Sequence, residues 1–447
     1  MFPSGVTDAQ TPLMTINSLP PELLSSIFLH LWQVRRHQQL LPFQVTISRV
    51  CRHWRQIAIS TPTLWSTITL FSSASLPCVD EWLARSGATP LDVRLDIYDA
   101  DYRGDVDAVW IEKVLASVAS NVHRFRNLLV FTYQEVNLYH ILQLFQHVEA
   151  PLMETLRVYT GRYDAGNNPT PPTAFNGGLP KLAIAAFEPL QCLPPLTSIT
   201  TLHLNVVGRE TRLRFDRLVE ILQMPQGLIT LSLRGPIDNQ GYPVQRDRSH
   251  VQLPKLRNLE LSSQGATGVW FILFFSTPNL ESLRWDVNSD NYHQLLNSSQ
   301  FHTGTVKFPS LRYLTLINQR LSTHHLENMM LIFPAATHVL FSHPLTPGWN
   351  RHQHLDVLRD SRGWPNLEVL AFQKLFPPGG KPLALELLEI IPERPNIKRI
   401  LVDGELLLRL DENAPDLRNL VGLEELNCRT FPDYWWISRQ QEALDRL

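Results

Sequence analysis

The chain has 447 residues, of which 44% are hydrophobic, enough for a large core and incompatible with a disordered protein. Its formal net charge of -2 and pI near 6.8 provide no global field for gripping nucleic acid, so nucleic acid is not expected as a partner. The length suits about two or three ordinary domains or one extended repeat array. Four cysteines, Cys51, Cys78, Cys192 and Cys428, are far apart and form no CxxC pair, which argues against a disulfide framework and a structural zinc site. Met1 to Asn17 lacks a basic segment followed by an apolar one, and the densest apolar run, Val269 to Phe275, is too short to span a bilayer. A soluble chain of a reducing compartment, cytoplasmic or nuclear, is expected, with no membrane partner.

Residues 1–15 read as a flexible amino terminus. A helix is predicted from Pro20-Pro21-Glu22, because proline suits the first turn, where a missing N–H costs nothing, and the dipole there favours negative charge. Leu23, Ile27 and Leu31 fall four residues apart, and Leu24 and Phe28, with Trp32 behind them, form a second row one position round. One row can pack inward while the other stays available. After a long basic connection, Gln33 to Phe43, the residues Val50, Trp54, Ile57 and Ala58 recur at helical spacing between Arg49, Arg52 and Arg55, and Thr61-Pro62 ends that second helix. About fifty residues cannot bury much surface alone, so neighbours in cis or in trans must complete this unit.

The ordered combination of Leu19-Pro20-x-Glu22, the Ile/Leu rows, Val50-Cys51-x-x-Trp54 and a closing Leu64-Trp65 resembles an F-box over residues 16–66. The resemblance implies a three-helix docking module that joins a substrate receptor to the Skp-type adaptor of cullin-RING ubiquitin ligases. The residues it would present to the adaptor are Leu19, Pro20, Glu22, Leu23, Ile27, Phe28, Leu31, Val50, Cys51, Trp54, Leu64 and Trp65. Gln33–Phe43 departs from the compact link of the family. The alternative is that residues 16–66 only cap the domain on their carboxyl-terminal side.

From Trp65 onward the pattern apolar-x-x-apolar-x-apolar returns in steps of about 20 to 35 residues, the range of leucine-rich repeats. Its copies are Trp65/Ile68/Leu70, Leu179/Leu182/Ile184, Ile199/Leu202/Leu204, Leu228/Leu231/Leu233, Leu256/Leu259/Leu261, Leu280/Leu283/Trp285, Leu311/Leu314/Leu316, Leu367/Leu370/Phe372, Ile397/Ile400/Val402 and Leu423/Leu426/Cys428. Weaker copies stand at Val93/Leu95, Phe125/Leu128/Val130, Met153/Leu156/Val158 and Val339/Phe341. Alternation predicts a short strand per copy with its apolar residues inward. Helical spacing recurs between copies, at Leu218/Ile221/Leu222, Phe271/Leu273/Phe274/Phe275, Leu326/Met329/Met330/Phe333 and Leu385/Leu388/Ile391. A strand and a helix cannot bury their own apolar face, so the repeats must stack. The expected fold is therefore α/β: the small helical module, then a horseshoe solenoid over residues 67–430 with a concave parallel sheet, then a carboxyl-terminal cap over 431–447. This resembles an irregular leucine-rich-repeat array with a patchy asparagine ladder at Asn205, Asn288 and Asn318. Together the two parts resemble the F-box/leucine-rich-repeat families expanded in mushroom-forming fungi. A doubly wound α/β domain is the alternative, without a glycine-rich nucleotide turn to support it.

Residues flanking the inward leucines face the concavity, and His203, Arg234, Glu260, Arg284, Asp286, Tyr313, Arg399, Asp403 and Arg429 are the candidates there for binding a protein target. Val369, Ala371 and Leu401 interrupt this polar surface near an aromatic cluster, Phe431, Tyr434, Trp435 and Trp436. Trp435 and Trp436 are candidate anchors for a target, although such a cluster also suits capping of the open apolar end. Insertions at Gly161–Gly178, Gly235–Gln252, Ser342–Asn350 and Phe376–Pro382 come directly after strands and are expected on one rim.

No catalytic constellation emerges, and neither cofactor nor metal is expected. Asp99 to Asp107 imitates the start of an EF-hand, but Arg103 takes a ligand position and Trp110 stands where the bidentate Glu is required. Gly379-Gly380-Lys381-Pro382 lacks the rest of a P-loop. His324-His325 and His352-x-His354 have no matched ligand set. The expected function is target selection for ubiquitination, with a Skp-type adaptor and, through it, cullin as partners. The alternative is a leucine-rich-repeat scaffold with no ubiquitin role, and an enzyme would need a constellation split between repeats.

Overall fold

The computed structural model describes residues 16–34, 42–70, 76–97, 115–162, 173–188, 192–206, 213–235, 237–238, 251–263, 271–272, 274–287, 306–317, 323–342, 355–360, 362–373, 383–427 and 429–435. At its amino terminus three helices, α1 (Pro21–Val34), α2 (Phe43–Ser48) and α3 (Arg52–Ile59), are followed by a 3-10 turn, Pro62–Trp65. Strands then stack in sequence order: β1 (Thr67–Leu70), β2 (Leu91–Ile97), β3 (Phe125–Gln134), β4 (Thr155–Arg162), β5 (Ile184–Phe187), β6 (Thr201–Asn205) and β7 (Thr230–Arg234). The series continues with β8 (Asn258–Ser263), β9 (Ser282–Val287), β10 (Tyr313–Ile317), β11 (His338–Ser342), β12 (Val369–Gln373), β13 (Arg399–Val402) and β14 (Gly422–Glu425). They form one parallel sheet of 14 strands among the described residues. This is the α/β solenoid that the repeat pattern implies. Two-residue strands, Leu213–Arg214 with Ile237–Asp238 and Val251–Gln252 with Phe275–Ser276, form two small ladders beside the large sheet.

Shared register, with a shift between Leu91 and Asp92 where β2 meets β3, explains how loosely spaced repeats build one sheet. Each residue of the middle apolar position pairs with its equivalent next door, as in Leu202↔Leu231, Leu231↔Leu259, Leu259↔Leu283 and Leu283↔Leu314. Because side chains alternate, every strand in register sends its apolar pair to the same side, and a slip of one residue would expose the whole set. Helices such as Phe215–Gln223 cover that side, burying Phe215, Leu218, Ile221 and Leu222. A single apolar core thus runs from Leu24 to Leu423.

Three expected positions are displaced. In β5 the inward pair is Ala185 and Phe187, which pair with Leu202 and Leu204, whereas Ile184 lies on the other face beside Thr201. The copy is Leu182/Ala185/Phe187, because Leu179 closes the turn before it, its carbonyl accepting from the Leu182 N–H. At the last strand, Leu423 pairs with Ile400 and Glu425 with Val402, so Leu426 falls beyond the strand rather than inside it. In the helix Leu383–Ile390 the buried row is Leu383, Ala384, Leu387 and Ile390, while Leu385 is exposed. Leucines occupy both sides of that helix, so spacing alone does not single out the buried row.

Prolines before the strands sit in turns that link repeats: Asn279 donates to the Pro254 carbonyl at 2.7 Å and Asn396 to the Pro365 carbonyl at 2.8 Å. These bonds take the place of the expected asparagine ladder; Asn205 donates elsewhere, to Glu188, and Asn288 and Asn318 lie outside the described residues. Gly235 is a turn residue that tolerates no side chain, since its φ is 93° and an added Cβ would meet the Val206 carbonyl oxygen at 2.0 Å.

One buried cation holds a whole turn. Arg394 donates to the carbonyls of Leu358, Asp360, Gly363 and Trp364 at 2.7 to 3.1 Å and is 2% exposed. Burial lowers its pKa, opposed by Asp360, but a guanidinium stays charged. Replacing Arg394 with Met is expected to strand these acceptors and destabilise the chain by about 3 kcal/mol or more. Arg394→Lys should recover only part, because one ammonium cannot match the planar fork; urea unfolding of the three proteins checks both.

Candidate functional site: a docking module and a concave face

In the amino-terminal module, α1 divides its apolar residues by face. Leu24, Phe28 and Trp32 are buried in the common core, whereas Leu23, Ile27 and Leu31 are 53%, 36% and 39% exposed. Pro20 and Glu22 are also exposed, Leu19 is half-buried, and Val50, at the turn between α2 and α3, is 58% exposed. Cys51 caps α3, its Sγ accepting from the Trp54 N–H at 3.4 Å. Trp54 packs on Phe28 at 4.9 Å and donates from Nε1 to Asn17 Oδ1 at 2.8 Å. Three of the residues expected to face an adaptor are instead internal: Phe28, Leu64 and Trp65 are buried to within 1%. Trp65 Nε1 donates to the Ala58 carbonyl at 2.7 Å, and the Arg85 guanidinium lies 4.4 Å over its ring. They bind the module to β1. The connection Gln33–Phe43 lies largely outside the described residues.

The sheet's other face carries three side-chain rows. In the amino-terminal half these rows form a cavity of about 370 Å³ lined by Arg94, Phe131, Arg157, Tyr159, Glu188, His203, Asn205 and Arg234 among others. Of the expected target-binding residues, His203 and Arg234 line it. Next to it, Glu260 is fully buried and accepts from Ser232 at 2.7 Å and Arg234 at 2.9 Å, while Arg284 stands 3.2 Å away at its other oxygen. Glu260 and Arg284 are therefore internal struts, removed by burial from the set available to a target. Asp286 accepts from Ser262 at 3.1 Å. Arg94, Phe131, Arg157, Tyr159 and Glu188 had no place among the expected site residues because the repeat copies of β2, β3 and β4 are weak and that of β5 is displaced. The alternation Leu156/Arg157/Val158/Tyr159 is the signal that places them.

Residues 16–70 match the family model described as F-box-like. The amino-terminal unit is an F-box-like domain. The match runs through β1, in line with the burial of Trp65 between the helices and the first strand. No curated protein matches the chain. A solved structure of a Bacteroides fragilis protein aligns at 12% identity and a TM-score of 0.31, covering 77% of this chain and 76% of that one.

At the far end of the sheet from the F-box-like domain the concave face is occupied by the chain itself. After β14 the backbone folds back, and Leu426 and Phe431 join Leu340, Val369, Ala371 and Leu401 in a second apolar cluster, with Tyr313 against it. Phe431 lies edge-on to Tyr313 at 5.8 Å and to His338 at 6.1 Å. Farther along, buried Asp433 accepts from Ser282 of β9, and Trp435 is 2% exposed. Phe431 therefore covers the apolar interruption of the concave face, and buried Trp435 offers no free anchor. Trp436 lies outside the described residues. Tyr313 and Arg399 are half-buried at this segment, Asp403 caps the helix Gly404–Asn413 by accepting from the Leu406 N–H at 3.0 Å, and Arg429 is exposed beyond β14. The rim insertions Ser342–Asn350 and Phe376–Pro382, like the EF-hand imitation at Asp99–Asp107, lie almost wholly outside the described residues. Among the described residues no group of acidic, histidine or cysteine side chains is arranged to hold a metal.

His338 reports on this closure. Burial, with Arg399 and Arg312 nearby and only Glu368 opposing them, pushes its pKa down to about 4 from 6.5. Between those values the unfolded chain binds more protons than the folded one, so stability present above about 6.5 drains away as pH falls toward about 4. Urea unfolding followed across that window should show the midpoint falling, and His338→Gln should flatten the fall. Carboxylates held low by their partners, such as Asp360, release their share at lower pH still.

Proposed function

We propose that the chain is a substrate-recognition subunit of a Skp–cullin–F-box ubiquitin ligase, in which the F-box-like domain docks on a Skp-type adaptor and the solenoid holds a protein target. The observation that carries the reading is the exposed row Leu23, Ile27 and Leu31 on a helix whose opposite row is fully packed. A cap needs only the packed row. Three large apolar side chains held in water on one face of a rigid helix suit a helix-to-helix docking surface. The chain itself would catalyse nothing. Its part is to hold a target near a recruited ubiquitin-conjugating enzyme through adaptor and cullin, in the cytoplasm or nucleus.

Capping and docking are not rivals here. The packed row of α1 and the buried Leu64 and Trp65 join the domain to β1, which fixes its orientation on the solenoid, and the outer row stays open. A rigid join is what a receptor requires if a target lysine is to be presented at a constant position.

Co-purification with a Skp-type adaptor tests the proposal. The double change Ile27→Ala and Leu31→Ala is expected to remove about 2 kcal/mol per side chain and so weaken the complex by roughly three orders of magnitude, with the circular dichroism spectrum unchanged. Phe28→Ala should instead lower stability, because its ring is internal. A folded wild-type chain that forms no adaptor complex would leave a repeat scaffold as the reading.

A further inference from the structure

Resting on the target-receptor reading, the geometry points to an anion-reading site in the amino-terminal half of the concave face: we propose that the cavity around Arg157 takes the carboxylate or phosphate of an extended acidic segment.

Most charges on this face are already matched within the chain. Asp92 accepts from Arg126 and Asn127, Asp96 from Arg94 at 3.0 Å, and Glu260 is shared by Arg234 and Arg284. Glu188, the one carboxylate among the described residues lining the cavity, accepts from the Thr160 N–H at 2.7 Å and from Asn205 at 3.0 Å. Arg157 is left over. Its cross-strand neighbours on the same face are Leu129 of β3 and Ala186 of β5, whose side chains cannot accept a hydrogen bond. Arg157 is half-buried and makes no hydrogen bond or ion pair among the described residues. A guanidinium held between apolar neighbours gains most from a bidentate anion.

The surroundings define the shape of what fits. Phe131 and Tyr159 line the same cavity one row along, giving apolar and stacking surface beside the charge. Arg94, Arg157 and His203 lie in one row on alternate strands, β2, β4 and β6. Strands about 4.8 Å apart place these groups about 10 Å from one another, which is the reach of three residues of extended chain. A compact anion would meet only one of them. The carboxyl-terminal half of the face is occupied by Leu426, Phe431 and Asp433, whereas among the described residues the amino-terminal half keeps its cavity.

The test is fluorescence anisotropy on the full chain with three labelled octapeptides, Gly-Asp-Gly-Gly-Asp-Gly-Gly-Asp, the same peptide with phosphoserine for Asp, and the same with Asn for Asp, with inorganic pyrophosphate as competitor. Saturable binding of an anionic peptide, at least tenfold weaker for the Asn peptide and for Arg157→Gln and unaltered in Arg214→Gln, is the expected result. Arg214 is an exposed arginine outside the cavity and controls for net charge. The ratio of the phosphoserine to the aspartate peptide assigns the source of the anion. Equal binding of acidic and Asn peptides, wild-type affinity in Arg157→Gln, no saturable binding, or pyrophosphate outcompeting every peptide would overturn the proposal. Adaptor co-purification is independent of these readouts. A chain that binds peptide through Arg157 but no adaptor sinks the ligase reading alone, and the reverse pattern sinks this site alone.

Discussion

Everything in this molecule depends on an inward double row of apolar side chains kept in register across the parallel strands. One row runs from Ile68 through Val93, Leu128, Leu156 and Ala185 to Leu423, and the other from Leu70 through Leu95, Val130, Val158 and Phe187 to Val402. No single repeat could bury its share, so stability is held at the joins between neighbours. The same alternation that buries one set of side chains fixes the other set on the concave face. Function on that face is thus a by-product of register: Arg157 can be a binding group only because Leu156 and Val158 are core.

Register also explains where the sequence was readable. Strong copies such as Leu231/Leu233 and Leu259/Leu261 combine apolar periodicity with a preceding turn, and their strands lie where the pattern places them. Copies at Leu179 and Leu423 are displaced by three residues because the pattern apolar-x-x-apolar-x-apolar is preceded or followed by another apolar residue at the same spacing. Only pairing with the neighbouring strand resolves which set is inside, and pairing is a non-local property. The helix Leu383–Ile390 fails for a related reason: with leucines on both sides, its moment does not point anywhere until a neighbour covers one face.

The amino-terminal module was legible as two rows on one helix but not as to which row is inside. Leu24, Phe28 and Trp32 are inside because the aromatic pair Phe28 and Trp54 fills the space between α1 and α3, a contact made across the connection rather than along it. Likewise, the fate of the carboxyl-terminal aromatics could not be read from composition. Phe431 and Trp435 suit capping, anchoring or back-folding equally well as a string of residues. What decides is that Leu340, Val369, Ala371 and Leu401 leave an apolar gap on an otherwise polar face, and Leu426, just beyond the last strand, turns the chain toward it.

This back-folding changes what the concave surface can be. A horseshoe with a uniformly open interior would offer a target fourteen strands of mixed polarity, with no reason for contact at one place over another. Here β9 to β13 are engaged by the chain's own segment through Ser282, Tyr313 and Leu401, while β2 to β7 keep a cavity. Among the described residues that line the cavity, the Glu188 carboxylate has its hydrogen-bond donors and one guanidinium, Arg157, has no acceptor. Selectivity in such an arrangement comes from the cost of desolvating Arg157 without an acceptor, a cost that an apolar segment cannot offset and an anionic one can. The recognition chemistry proposed here is therefore set by a guanidinium without an acceptor among the described residues, whose position is fixed by the packing of Leu156 and Val158 on either side of it.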